Sequence, residues 1–177
     1  MNFEYLLKTA LPLDIVYKTL RDKFCNLIVY LPNVDKIEEL ERKELEDRVY
    51  VSYKWYGRNV LPLVVEQFVN LGEIAWLDKA EWINSEYICN WSYEPFIFKK
   101  HVNAHGTNFY TTDGKDTLIR LTGSLDVHLG HYPLPSVVPS IIKKVITDEF
   151  SKVAIALIKP NFVAVIQGLE KYIEESG

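Results

Sequence analysis

The stretch 141–173 limits the fold more than any other part of the chain. Apolar residues recur there every three or four positions on both sides of a proline. Before Pro160 the stripe is Ile142, Val145, Ile146, Phe150, Val153 and Leu157; after it, Phe162, Val165, Ile166, Leu169 and Ile173. This spacing predicts one long helix with a single buried face. The proline removes a ladder hydrogen bond and kinks the helix, and the kink absorbs the one-residue displacement between the two stripes. A membrane span needs about 20 apolar residues without charges, whereas Asp148, Glu149, Lys152, Lys159 and Glu170 interrupt this run. The helix therefore needs a curved, water-excluding surface within the protein.

Period-two patterning predicts that surface. "NFEYLLKT" alternates Phe3, Tyr5 and Leu7 with polar neighbours and reads as a strand ending before Pro12. "LDIVYKTLRDKFCNLIVYLPN" has helical spacing, with Asp14 as the expected N-cap and Asn26 dividing a helix from a shorter one. "VDKIEELERKELED" is charged and slips phase, as expected of a bulged or edge-like strand, with a charged helix as the competing reading. "RVYVSYKWYG" alternates cleanly, with Val49, Val51, Tyr53 and Trp55 on one face. The apolar passage around Pro62 reads as a short helix or a loop strand. "EIAWLDKAEWI" and "EYICNWSYEP" follow as two strands, the second presenting Tyr87, Cys89, Trp91 and Tyr93 on one face. "KKHVNAHGTNFYTT" and "DTLIRLTGSLDVHL" form a hairpin about residues 113–114; in the last strand Ile119, Leu121, Gly123, Leu125, Val127 and Leu129 face one way. The order is strand, two helices, six antiparallel strands and a long helix, an α+β class within one domain spanning 1–177.

Composition removes several function classes. A net charge of −4 disfavours a duplex nucleic-acid binder, which needs a basic field. The two cysteines, Cys25 and Cys89, lie in no metal-type pair and are expected as reduced, packed thiols. The opening residues lack a basic signal-peptide region, so a cytoplasmic protein is expected.

Shape then points to a site. Strands of about ten residues are roughly 33 Å long and twist by about 20–25° from one to the next. Several of them wrap into a trough that one helix, about 10 Å across, does not fill. Large inward side chains must plug the gap or line a cavity. The candidate lining is Tyr53, Trp55, Trp76, Trp82, Tyr87, Trp91 and Tyr93 from the strands, with Phe150, Val153 and Leu157 from the helix. Arg58, Glu66, Asp78 and Glu94 border these aromatics as polar floor or rim groups.

The opening "FEYLLKTALPLDIVYKTL", the passage "LPNVDKIEEL" and the closing "LIKPNFVAVIQGLEKYI" together resemble the helix-grip superfamily. That group includes START lipid-transfer domains, polyketide cyclase/aromatase-like proteins and birch-pollen-allergen-like proteins. The resemblance covers nearly the whole chain. It implies a curved antiparallel sheet of about seven strands around a C-terminal helix, and a hydrophobic ligand held between them. It carries over no catalytic residue.

The residues themselves show no catalytic signature. His101 and His105 lie roughly 13 Å apart on a strand, too far to share one metal ion. His128 and His131 flank the end of the last strand. No nucleophile elbow or glycine-rich phosphate loop occurs. Neither metal nor cofactor is expected. Binding of a hydrophobic or amphipathic small molecule is the leading expectation. A cyclase/aromatase-type enzyme in the same cavity, using His105 or Arg58, is the first alternative. The second is a protein-interaction module, such as a co-chaperone or ribosome-associated factor, that uses Tyr50, Tyr56 and Arg120 on the outer face.

Overall fold

The computed structural model describes residues 1–58, 74–96, 99–128 and 139–176, and the side chains of 142–157 are outside that description. The passage around Pro62, Glu66, Leu129 and His131 therefore lie outside the described residues, as do the side chains of Phe150, Val153 and Leu157.

Alternation becomes strands where it was clearest. β1 (Asn2–Thr9) is followed by helix α1 (Leu13–Asp22) and a 3₁₀ segment (Phe24–Tyr30). Then come β2 (Val34–Glu44), β3 (Arg48–Gly57), β4 (Ala75–Ile83), β5 (Ile88–Pro95), β6 (Val102–Thr112), β7 (Thr117–Val127) and the C-terminal helix α2 (Ser140–Ser176). The seven strands form one curved antiparallel sheet in the order β1-β7-β6-β5-β4-β3-β2. The charged strand β2 is an edge, as expected, and its register slips at 34/36 and 39/41. The second slip brings Arg42 opposite Val51, onto the inner face. Asp113 closes the β6–β7 turn by accepting from the N–H groups of Lys115 and Asp116, and Gly114 takes φ 95°.

Two helix boundaries differ from expectation. α1 starts on Pro12, whose carbonyl accepts from Ile15 and Val16, so Asp14 lies inside the first turn instead of capping it. The Asp14 carboxylate accepts from the Tyr87 hydroxyl and pairs with Lys18. The break between the helices falls at Lys23, where φ −126° leaves the helical region, ahead of Asn26.

α1 packs its Val16, Tyr17 and Leu20 on the concave face. α2 continues through Pro160. Its second half lies between the sheet's two edges: Glu170 accepts from Thr9 on the β1 side, and Tyr172 and Glu175 meet Asn26 and Tyr30 of the 3₁₀ segment. Ile166 and Leu169, from the stripe after the proline, are buried in the core. Gly168 is required here, since a Cβ would stand 2.8 Å from the Tyr30 side chain. Cys25 and Cys89 are free thiols, and burial raises the pKa of both. Among the described residues no helix is long and apolar enough to cross a membrane.

Candidate functional site

Register defines the concave face row by row. One row is Ile37, Trp55, Trp76 and Pro95. The next is Tyr53, Asp78, Tyr93, Ala104 and Leu125. The third is Val51, Ala80, Trp91, Gly106, Gly123 and Phe3. The fourth runs from Val49 through Trp82, Cys89, Asn108 and Leu121 to Tyr5. Six of the seven strand aromatics named from the sequence thus share the inner face: Tyr53, Trp55, Trp76, Trp82, Trp91 and Tyr93. Tyr87 is the exception. It sits in the β4–β5 turn at φ 52°, before β5 begins, and its ring packs edge-on against Tyr17 at 5.0 Å.

These rings have two different environments. At the end where the β2–β3, β4–β5 and β6–β7 turns lie, Tyr17 of α1 fills the trough. Its ring meets Trp82 at 5.2 Å and Tyr110 at 5.5 Å, both near perpendicular. All three are buried, and Tyr87, partly buried, packs against them, so Trp82 and Tyr87 belong to a plug of aromatic core. Polar bonds lock this end. Asp47 accepts from the Ser85 N–H and hydroxyl at 2.8 and 2.7 Å. Arg21 donates to Asn84 at 2.7 Å, and Asp22 holds both Arg21 and Arg42.

The middle of the face is built from small residues. In the third row Trp91 and Phe3 stand at either side of Gly106 and Gly123. A Cβ on Gly106 would lie 2.5 Å from the Trp91 ring and 2.1 Å from the Thr122 carbonyl; one on Gly123 would lie 2.5 Å from the Phe3 ring. Both rings therefore lean over the glycines and lie low against the sheet, with centroids 6.4 Å apart. Tyr93 stacks on Trp91 at 4.9 Å and Tyr5 on Phe3 at 5.8 Å, which extends this floor. The Trp91 indole donates to Asn108 at 3.0 Å.

Toward the other end, Trp55 and Trp76 stack at 5.6 Å, with Phe24 against Trp55 at 5.3 Å. Beside them lies Asp78, only 7% exposed. Its Oδ2 accepts from the Trp55 indole at 3.2 Å. Its Oδ1 has no partner among the described residues, and the only other such atom among them is the Trp82 indole nitrogen. Burial pushes the Asp78 pKa up to about 7, partly offset by the Trp55 bond. Burial also raises the phenols of Tyr53 and Tyr93 on either side, and the Asp78 charge adds to that.

The remaining polar candidates lie elsewhere. Arg58 pairs with Asp35 at 3.2 Å on the surface, and Glu94 pairs with Lys99 at 3.4 Å. His105 faces outward, opposite Ser92 and Ser124, so it cannot steer chemistry in the trough. His101 bonds to the His128 carbonyl. The convex face carries an open groove of about 470 Å³ lined partly by Tyr50, Lys79, Glu81 and Asn90. Several of its polar groups bond within the chain: Glu81 binds Arg48, Tyr50 and Asn90, and Asn90 binds Thr107. Tyr56 is likewise bonded to Glu38, and Arg120 lies 4.4 Å over the Phe109 ring. The outer residues suggested for a protein partner are thus already engaged within the chain.

A long helix set against a curved seven-stranded antiparallel sheet is the helix-grip fold. By sequence, no family model and no curated protein matches the chain. By structure it is similar to the Zhui aromatase/cyclase from Streptomyces sp. R1128, with a TM-score of 0.69 and 17% identity over 98% of this chain and 93% of that one. It is also similar to TTHA0849 from Thermus thermophilus, at 0.66 and 16% over 100% and 99%. A third neighbour is Ara h 8.0201, at 0.57 and 14% over 99% and 98%. At such identities the likeness establishes the fold, as the sequence resemblance implied.

Proposed function

We propose that the chain, as one domain, binds a hydrophobic or amphipathic small molecule between the concave face and α2. A lipid or a polyketide-like compound fits this description. The protein would act as a cytoplasmic carrier or store. The row Trp91–Gly106–Gly123–Phe3 carries the reading. Strand side chains normally stand up from a sheet; here two large rings lean over glycines, which supports a trough left open above them. An apolar guest laid on this floor would gain roughly 25 cal/mol per Å² of surface buried. The sequence-named residues best placed to touch it are Tyr53, Trp55, Trp76, Trp91 and Tyr93, with Phe150, Val153 and Leu157 proposed from the helix.

The test is native mass spectrometry of protein purified without added ligand, paired with displacement of a fluorescent hydrophobic probe. A bound mass that leaves on denaturation, and a probe saturating at one site per chain, are expected. Absence of both would remove the reading.

Asp78 favours a second reading, an enzyme of the aromatase/cyclase type acting in the same trough. A carboxyl titrating near neutral pH is suited to general acid–base work. Turnover of a poly-β-keto substrate, abolished in Asp78→Asn, would establish it; turnover unchanged in that variant would remove Asp78 from the chemistry.

A further inference from the structure

This inference rests on the binding reading above and concerns the chemistry of the guest. A buried carboxyl is costly unless its oxygens are satisfied. Asp78 is 7% exposed and has one satisfied oxygen, with the Trp55 indole N–H on Oδ2. The other, Oδ1, is free among the described residues. Register sets Asp78 between Tyr53 and Tyr93, with Trp76 and Ala80 beside it on the same face of β4. The lining is therefore apolar and aromatic, with one acceptor atom left over.

We propose that Asp78 is the polar anchor of the cavity: its Oδ1 accepts a hydrogen bond from a hydroxyl or ammonium group carried on an apolar, ring-sized guest. A few fixed polar groups in an otherwise apolar pocket set a ligand's orientation and select among ligands. The titratable groups facing Asp78 from the neighbouring strands are Tyr53 on β3 and Tyr93 and Cys89 on β5, all with pKa values raised by burial. Glu39 lies beyond Tyr53 on β2. Among the described residues no basic side chain contributes to the titration of Asp78, for which burial and the Trp55 bond are the causes.

The anchor separates guests by the sign of their hydrogen bond. Four fluorescent probes of similar size serve: naphthylmethanol, naphthylmethylamine, ethylnaphthalene and acetylnaphthalene. The first two carry donors, the third no polar group, the fourth an acceptor only. Against wild-type protein well above pH 7, where Asp78 is ionised, the two donors are expected to bind roughly tenfold to a hundredfold tighter than ethylnaphthalene, the worth of a bond to a charged acceptor. Acetylnaphthalene should gain little. The ammonium probe should tighten as pH rises through about 7, where Asp78 ionises; the neutral alcohol should change less, which separates the two donor types.

Asp78→Asn is close in shape and keeps an acceptor for the Trp55 indole, which leaves its amide N–H₂ facing the guest. In that variant the donors should lose their advantage and acetylnaphthalene should overtake them. A purely structural role for Asp78 would not reverse the order. Equal affinity for all four probes, or a donor preference that survives Asp78→Asn, would overturn the anchor while leaving the cavity standing. Failure of every probe, ethylnaphthalene included, would overturn the cavity and the anchor together.

Discussion

The two ends of the trough are made from similar residues and behave as opposites. Around Tyr17, the rings of Trp82, Tyr87 and Tyr110 interlock edge to face, and Asp47, Arg21 and Asp22 tie the turns to α1. Around Asp78, Trp55 stacks on Trp76 and Tyr93 on Trp91, Phe24 leans on Trp55, Trp91 lies down on Gly106, and a buried carboxyl oxygen goes unpaired among the described residues. Aromatic content alone does not distinguish the packed end from the end proposed to hold a guest. What differs is that Tyr17 of α1 meets three rings edge-on at one end, while the other end holds a buried carboxyl; each end keeps one buried polar atom unpaired among the described residues, the Trp82 indole nitrogen and Asp78 Oδ1.

The largest effect should come from the packed end. Tyr17→Ala removes three edge-on ring contacts and leaves a void that the sheet cannot collapse into. A loss of about 3–5 kcal/mol is expected in urea unfolding. A loss below about 1 kcal/mol would mean that this end is not solid and the contrast fails.

Asp78 should make the other end sensitive to pH. Its carboxyl holds a proton more tightly folded than unfolded, so its contribution to stability is complete in acid. That contribution is lost as pH rises from 3.8 to about 7 and then levels off. The loss is on the order of 4 kcal/mol at most, a melting shift on the order of ten degrees. In thermal melts from pH 4 to 8, Asp78→Asn should flatten this decline and melt higher than wild type at pH 8. Parallel curves for the two proteins would show that Asp78 is not a strained buried acid.

A smaller effect should sharpen the role of the floor. Gly106→Ala puts a methyl 2.1 Å from the Thr122 carbonyl and 2.5 Å from the Trp91 ring. The backbone contact cannot yield without moving β7, and the ring must lift into the trough. A cost of about 1–3 kcal/mol is expected, together with weaker binding of hydrophobic probes. Destabilisation with unchanged binding would show that the height of the Trp91 ring does not set the cavity.

Much of this was legible in the sequence, for physical reasons. A period of two is forced by the pleat, so β3 and β7 and their inner faces could be read directly from Val49–Trp55 and Ile119–Val127. Charge and phase slippage marked β2 as a bulged edge. Helix boundaries were harder, because a carbonyl can serve where a side-chain cap was expected, as Pro12 does in place of Asp14. The site was half visible. Alternation through Trp76, Asp78, Ala80 and Trp82 could have set Asp78 on the inner face and apart from Glu94, which alternates with Tyr93 and turns outward, yet both were expected alike as floor or rim groups. Gly106 and Gly123, glycines inside strands, were a readable sign of close approach. The division of the aromatics into plug and floor was not readable, since it depends on where Tyr17 of α1 lands.

The most direct test of an unfilled trough is to fill it. Ala104, beside Tyr93 on the row that holds Asp78, replaced by Trp should occupy the space proposed for a guest. Titration with anilinonaphthalene sulfonate, read beside the melting temperature, should show one saturable site in wild type, little or no binding in Ala104→Trp, and melting within a few degrees of wild type. A variant that melts far lower, in a wild type that binds no probe, would mean the trough is packed solid and the account is wrong.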